Sequence, residues 1–279
     1  MTIKQALLTT REKLKEMGKE DAHLQAKRLL SFVLQRNEND CIVHEEENVT
    51  EQEIEKMKQY LAQMQKGVPI QYITKEQEFM GYPFYVDENV LIPQPDTEIL
   101  VEEVMSLYPK ESKLTILDLC TGSGCIGISL AKYFVNSRVY LSDVSKEALS
   151  IAEKNGQKNH VDNIQILQSN LFENIPNELD VIVSNPPYIP SKEIPFLPEE
   201  VQKEPHIALD GGIEGLDFYQ KIIRESPKFL KDKGYLCLEM GYDQKEKIAS
   251  LLEKSNAFQK YYTKKDLAGI DRVIVAQKK

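Results

Sequence analysis

The 279-residue chain has no tryptophan, 4 histidines and 4 cysteines. Cys41, Cys120, Cys125 and Cys237 form no CxxC pair and the histidines are scattered. Neither a structural zinc site nor a disulfide framework is expected, and no metal ligand set can be assembled. No apolar run approaches the roughly 18 residues that a membrane span needs, and the opening MTIKQALLTTREKLKE lacks the apolar stretch of a secretory signal. A cytoplasmic protein with no membrane partner is expected. A basic excess is missing as well: 35 Lys and Arg face 44 Asp and Glu, a net charge of −9. Residues 1–75 carry 12 basic and 12 acidic side chains, so the other 23 and 32 hold all of that charge. Proteins that grip phosphates draw most of their affinity from basic surface, so a nucleic-acid partner is not expected.

What the chain does have is periodicity. Ile3, Leu7, Leu14 and Met17 recur at helical spacing, as do Ala26, Leu29, Leu30 and Val33. A further helix begins at the capping box Thr50-Glu51-Gln52-Glu53, carries Ile54, Met57, Leu61 and Met64 on one face, and stops at Gly67. Residues 1–68 therefore read as a small helical bundle. IQYITKEQEF, GYP and FYVDENVLIP then suggest a β-hairpin linker over 69–93, with its turn at Gly81 to Pro83. From 94 to 279 strands alternate with helices. LTILDL, RVYLSD, IQILQS, LDVIVS, GYLCLEMG, FQKYYT and DRVIVAQ read as seven strands, and FYQKIIRESPKFL as one of the helices between them. Such alternation predicts an α/β domain with a mostly parallel sheet covered on both faces. No helix separates the last two strands, so they should pair as an antiparallel hairpin.

Three strand ends carry chemistry. After the first strand, LDLCTGSGCIG places Gly122, Gly124 and Gly127 before a helix. Glycines there let the backbone approach a ligand, and the helix start offers free N–H groups. The spacing fits a dinucleotide or another adenosine cofactor. Asp143 ends the second strand, where a carboxylate can accept both hydroxyls of a ribose. Asp118 and Thr121 precede the glycines. An acidic residue there suits the ammonium and sulfonium of S-adenosyl-L-methionine better than a pyrophosphate. After the fourth strand comes VSNPPYIP, where two prolines end a buried strand. Their stiffness can mount the Asn185 amide and the Tyr188 ring at the sheet's open end.

In this order, DLCTGSG, Asp143 and NPPY resemble class I S-adenosylmethionine-dependent methyltransferases acting on a planar nitrogen. Within these, the chain is similar to the HemK-type release-factor glutamine methyltransferases. VLIPQPDTE (90–98) and EPHIALDGGIEGL (204–216) are similar to that family's stretches before the sheet and after NPPY. The resemblance implies a class I methyltransferase domain with a Rossmann-like seven-stranded sheet, preceded by a helical bundle that holds a class 1 bacterial peptide chain release factor. It implies S-adenosyl-L-methionine as cofactor, S-adenosyl-L-homocysteine as product, and N5 methylation of the glutamine in the factor's Gly-Gly-Gln loop. Cofactor binding is expected from Asp118, Cys120, Thr121, Gly122, Ser123, Gly124, Asp143, Asn170, Leu171 and Asn185. Substrate binding is expected from Asn185, Pro186, Pro187 and Tyr188, of which Asn185, Pro186 and Tyr188 are the catalytic candidates. A monomer is expected. The chain has Gln94, Cys120 and Asn170 where the family usually has Arg, Gly and Asp, and Lys75 near a usual Gly. Two other readings stay open on the residues alone: an adenine-N6 methyltransferase using a similar motif on a flipped base, and a non-catalytic adenosylmethionine-binding adaptor.

Overall fold

In the computed structural model, which describes residues 1–279, the first helices start where their caps are. Thr2 and Thr50 each accept from the backbone N–H three residues on, while Gln5 and Glu53 reach back to the cap N–H. Each such box contributes about 1 kcal/mol to its helix. The helices are α1 (Ile3–Glu16), α2 (Ala22–Leu34), α3 (Glu38–Val43), α4 (Glu51–Gln65) and α5 (Ile70–Thr74). Their apolar stripes meet in one core that includes Leu14, Leu29, Leu30, Leu61, Met64 and Ile73. Residues 1–75 together with 198–203 make one compact unit; residues 76–197 and 204–279 make the other.

The hairpin expected to begin near Ile70 is shorter. Pro69 lies at the start of α5, whose buried Ile70 and Ile73 are one turn apart, and Lys75 ends it at φ 58°. Only β1 (Gln77–Phe79) and β2 (Tyr82–Phe84) pair. Phe79 faces Tyr82, so the turn is Met80-Gly81, with φ of 53° and 74°. Two positive φ values make this a type I′ turn, whose twist matches the strands. Pro83 is not in the turn; it lies in β2 opposite Glu78.

The second unit continues with α6 (Pro95–Leu107), β3 (Thr115–Leu119), α7 (Cys125–Tyr133), β4 (Arg138–Asp143), α8 (Lys146–Lys158), β5 (Ile164–Gln168) and β6 (Leu179–Ser184). It ends with α9 (His206–Leu209), α10 (Asp217–Glu225), β7 (Leu230–Glu239), α11 (Lys245–Ser255), β8 (Phe258–Lys265) and β9 (Asp271–Lys278). The helix expected through Leu230 stops at Glu225; Pro227 sits in a short 3₁₀ turn, and Leu230 already belongs to β7.

As expected, the sheet has seven strands, in the order β5-β4-β3-β6-β7-β9-β8. β9 runs antiparallel to both neighbours and the other pairings are parallel. Alternation puts Ile116, Val181 and Val183 against α6, α7 and α8, and Leu117, Leu119 and Ile182 against α10 and α11. The order reverses between β3 and β6, so the loops after these neighbouring strands diverge and leave a crevice at their C-terminal ends. No helix is long and apolar enough to cross a membrane.

Candidate active site

Leu119 is registered with Ser142 on one side and Ser184 on the other. Parallel pairing therefore brings the ends of β3, β4 and β6, and with them the glycine loop, Asp143 and NPPY, to one edge. A cavity of about 340 Å³ lies there, within the range of small-molecule sites, roughly 300–1,000 Å³. Its lining includes Cys120, Thr121, Gly122, Ser123, Asp143, Asn170, Leu171, Asn185 and Pro187 of the expected site residues. Asp118, Gly124, Pro186 and Tyr188 are not in the lining.

Asp118 is fully buried beneath the loop. Its Oδ2 accepts from Thr121 Oγ1 at 2.5 Å and from the Gly127 N–H at 2.8 Å. Burial raises its carboxyl to about 7 against the pull of those two bonds. The acid expected to face an ammonium group instead ties the loop to the start of α7. Gly127 explains the close packing: a Cβ there would lie 2.1 Å from Leu141 Cδ2 and 2.9 Å from Asp118 Oδ2. Gly124, at φ 82°, would likewise press a Cβ to 2.8 Å from Ile128 Cδ1. At Gly122 the same construction meets nothing within 4 Å. Two glycines thus serve packing and one opens onto the cavity. Cys120 holds φ 62° without being glycine, and desolvation pushes its thiol up, which favours the protonated form.

Asp143 Oδ2 accepts from the Gly122 N–H at 3.0 Å, and Oδ1 from the Ser145 N–H at 3.0 Å. Burial raises its carboxyl while these N–H groups pull it back. Ser145, not Asp143, caps α8 through the Ala148 N–H. Asn170 donates to Glu173 Oε1 at 2.9 Å, leaving its Oδ1 free to accept. One support carried no signal in the sequence: fully buried Asn155 of α8 donates to Ser123 O and Tyr85 O and accepts from the Tyr85 N–H.

The other wall is stiff by construction. Asn185 is half-buried and its Nδ2 donates to Thr97 Oγ1 at 3.3 Å. No hydrogen bond within the protein ends on the Pro186 carbonyl. The Tyr188 carbonyl takes Gln244 Nε2 at 2.9 Å, and its hydroxyl points to Glu239 Oε1 at 3.5 Å. DGGIEG packs under this segment: a Cβ on Gly211 would sit 2.7 Å from Tyr188 Cα, and one on Gly215 2.2 Å from Tyr188 O. Thr97 and Glu239 carry no functional signal in the sequence, because each is an ordinary helix or strand residue until folding places it behind Asn185.

A family model described as "Methyltransferase small domain" matches residues 94–199, and one described as "PrmC N-terminal domain" matches residues 5–74. The chain is 40% identical over 282 residues to the release factor glutamine methyltransferase of Clostridium acetobutylicum, covering 99% of this chain and 98% of that protein. It is 37% identical over 275 residues to the one of Geobacter sulfurreducens, with coverages of 98% and 95%. Among solved structures, a methyltransferase from Pyrococcus furiosus matches with a TM-score of 0.54 at 18% identity, over 78% of this chain and 98% of that one. Such a match speaks for the fold alone.

Proposed function

The chain belongs to the family of release factor glutamine methyltransferases, and on that premise we propose that it methylates N5 of the glutamine in the Gly-Gly-Gln loop of bacterial class 1 release factors. The observation that carries this reading is a free acceptor pair, Asn185 Oδ1 and the Pro186 carbonyl, beside a cavity edged by the glycine loop. S-adenosyl-L-methionine supplies an electrophilic methyl on a sulfonium and leaves as S-adenosyl-L-homocysteine. The groups present suit it. Gly122 offers an open backbone face, Asp143 has lone pairs left for ribose hydroxyls, and Asn170 Oδ1 can accept from an adenine amine. Cys120, Thr121, Ser123 and Leu171 complete the lining, while Asp118 and Gly124 act from below.

An amide nitrogen is a poor nucleophile because its lone pair is delocalised into the carbonyl. Asn185 Oδ1 and Pro186 O each accept one N–H of the substrate amide. Two fixed acceptors favour the positive charge that develops on nitrogen over the neutral ground state, and they aim the lone pair at the methyl group. Pro186 and Pro187 keep the acceptors stiff, and Tyr188 packs beside the amide. An alkylated, protonated amide is acidic enough to lose its proton to water, so no strong base is needed. The helical region, residues 1–68, holds the release factor while its loop enters the cavity.

Incubation with a release factor and methyl-labelled S-adenosylmethionine, followed by mass mapping, tests the reading. One added methyl on the loop glutamine is expected; a folded, cofactor-bound protein that leaves this glutamine unmodified would refute it.

A further inference from the structure

Behind Asn185 runs a short buried chain of polar groups. Thr97, in the first turn of α6, and Glu239, at the end of β7, are each 3% exposed. Thr97 Oγ1 donates to Glu239 Oε2 at 2.6 Å and accepts from Asn185 Nδ2 at 3.3 Å. Tyr188 donates to the other carboxylate oxygen at 3.5 Å, and the Tyr219 hydroxyl holds the Glu239 carbonyl at 2.8 Å. Because β6 and β7 pair with Ser184 beside Leu238, Glu239 is carried to the base of the NPPY turn.

No cation bonds to Glu239. The nearby guanidinium of Arg272 is bonded to Asp96 and Asp266 through its Nε. A buried carboxylate held only by hydroxyl groups is costly, and burial raises its carboxyl to about 7. A glutamine or an apolar side chain would serve packing at lower cost, so stability does not explain it. Direction does. A threonine hydroxyl has one proton, and the ionised form of Glu239, which prevails above about pH 7, can only accept it. What Thr97 presents to Asn185 is therefore a lone pair, which only the NH₂ side of the amide can meet. Asn185 Oδ1 must then turn away from Thr97, toward the cavity.

We infer that Thr97 and Glu239 are positioning residues that fix which face of the Asn185 amide meets the substrate. Without them the two faces of Asn185 differ little in energy, and the flipped one opposes an NH₂ group to the NH₂ of the substrate. This inference rests on the acceptor role given to Asn185 above.

Steady-state kinetics on the full chain, with a release factor and S-adenosylmethionine, tests it. Thr97→Val keeps the shape and removes the hydroxyl; kcat should fall about 10–100-fold, with the KM for release factor and the Kd for S-adenosylmethionine within about 2-fold of wild type. Thr97→Ser should restore the rate to within about 3-fold, because the hydroxyl returns. Glu239→Gln should lower kcat in the same selective way, since a glutamine amide can donate to Thr97 and release it from its fixed direction. If Thr97→Val does not bind cofactor, the Glu239→Gln result decides. Asn185→Ala separates the two levels. Loss of transfer in Asn185→Ala with wild-type kcat in Thr97→Val and Glu239→Gln would overturn the positioning role alone. Retained transfer in Asn185→Ala would overturn the acceptor reading on which it rests.

Discussion

The loops after β3 and β6 leave neighbouring strands at the same end of the sheet, yet they are held in opposite ways. The β3 loop is rich in glycine, and its shape comes from outside: Asp118 from below, Asp143 from β4 and Asn155 from α8 all bond to its backbone or its Thr121 hydroxyl. The β6 loop is rich in proline and stiff by itself. Its tethers act on side chains, through Thr97 and Glu239, and on the Tyr188 carbonyl. A flexible backbone lets a ligand come close and needs tethers, whereas a stiff backbone needs only its working side chain oriented.

The largest expected effect is at the stiff loop. Asn185→Ala should lower kcat by about 10²–10³-fold while cofactor affinity measured by calorimetry stays near wild type. An equal loss of both would show that the two loops act as one unit.

Tethers of the flexible loop should instead appear as stability. Asn155→Ala leaves buried backbone groups without partners and should cost about 2–3 kcal/mol in urea unfolding. Gly127→Ala forces Leu141 and Asp118 apart and should cost about 1–3 kcal/mol. Both should also weaken cofactor binding. If they leave it unchanged, the loop holds its shape without tethers.

The buried acids give each loop a pH signature of the same sign. Glu239 is raised from 4.5 to about 7 and Asp118 from 3.8 to about 7, both by burial. In that window the folded state keeps a proton that the unfolded chain has released, so their contribution to stability falls as pH rises from about 4 to about 7. Glu239→Gln should flatten this decline by a few kcal/mol at most, an order-of-magnitude figure. Melting temperatures of the variant and wild type across pH 4–8 check it; parallel curves would mean the carboxyl is not shifted.

The smallest effect concerns Cys120. Cys120→Gly relieves a left-handed φ of 62°, and the gain is partly offset by the greater freedom of glycine in the unfolded chain. A net stabilisation of about 0.5–1 kcal/mol is expected in urea titrations. A loss would mean that sulfur packing against Leu119 and its neighbours outweighs backbone strain.

Much of this was legible in the chain. The capping box at Thr50, the short apolar runs of the strands alternating with helical stretches, and the glycine and proline punctuation are local signals, and they depend only on neighbours in sequence. Where a local pattern was ambiguous, tertiary burial decided it: IQYIT became helical because Ile70 and Ile73, one turn apart, could both reach the bundle core. The start of α6 is marked only by Pro95, Asp96 and Glu98 in its first turn, and the apolar stretch before it favours a strand.

The sequence by itself determined the fold class and the residues that would meet at the sheet edge, since strand–helix alternation dictates a parallel sheet and its crevice. Only the tertiary structure decided which way those residues point. Asp118 turned inward because the close approach that Gly127 permits places its N–H against the carboxylate, and Asn185 acquired a direction because Thr97 and Glu239 lie 88 and 54 positions away in sequence. Such contacts have no local signature: they follow from strand register and helix packing, which no short stretch of sequence encodes.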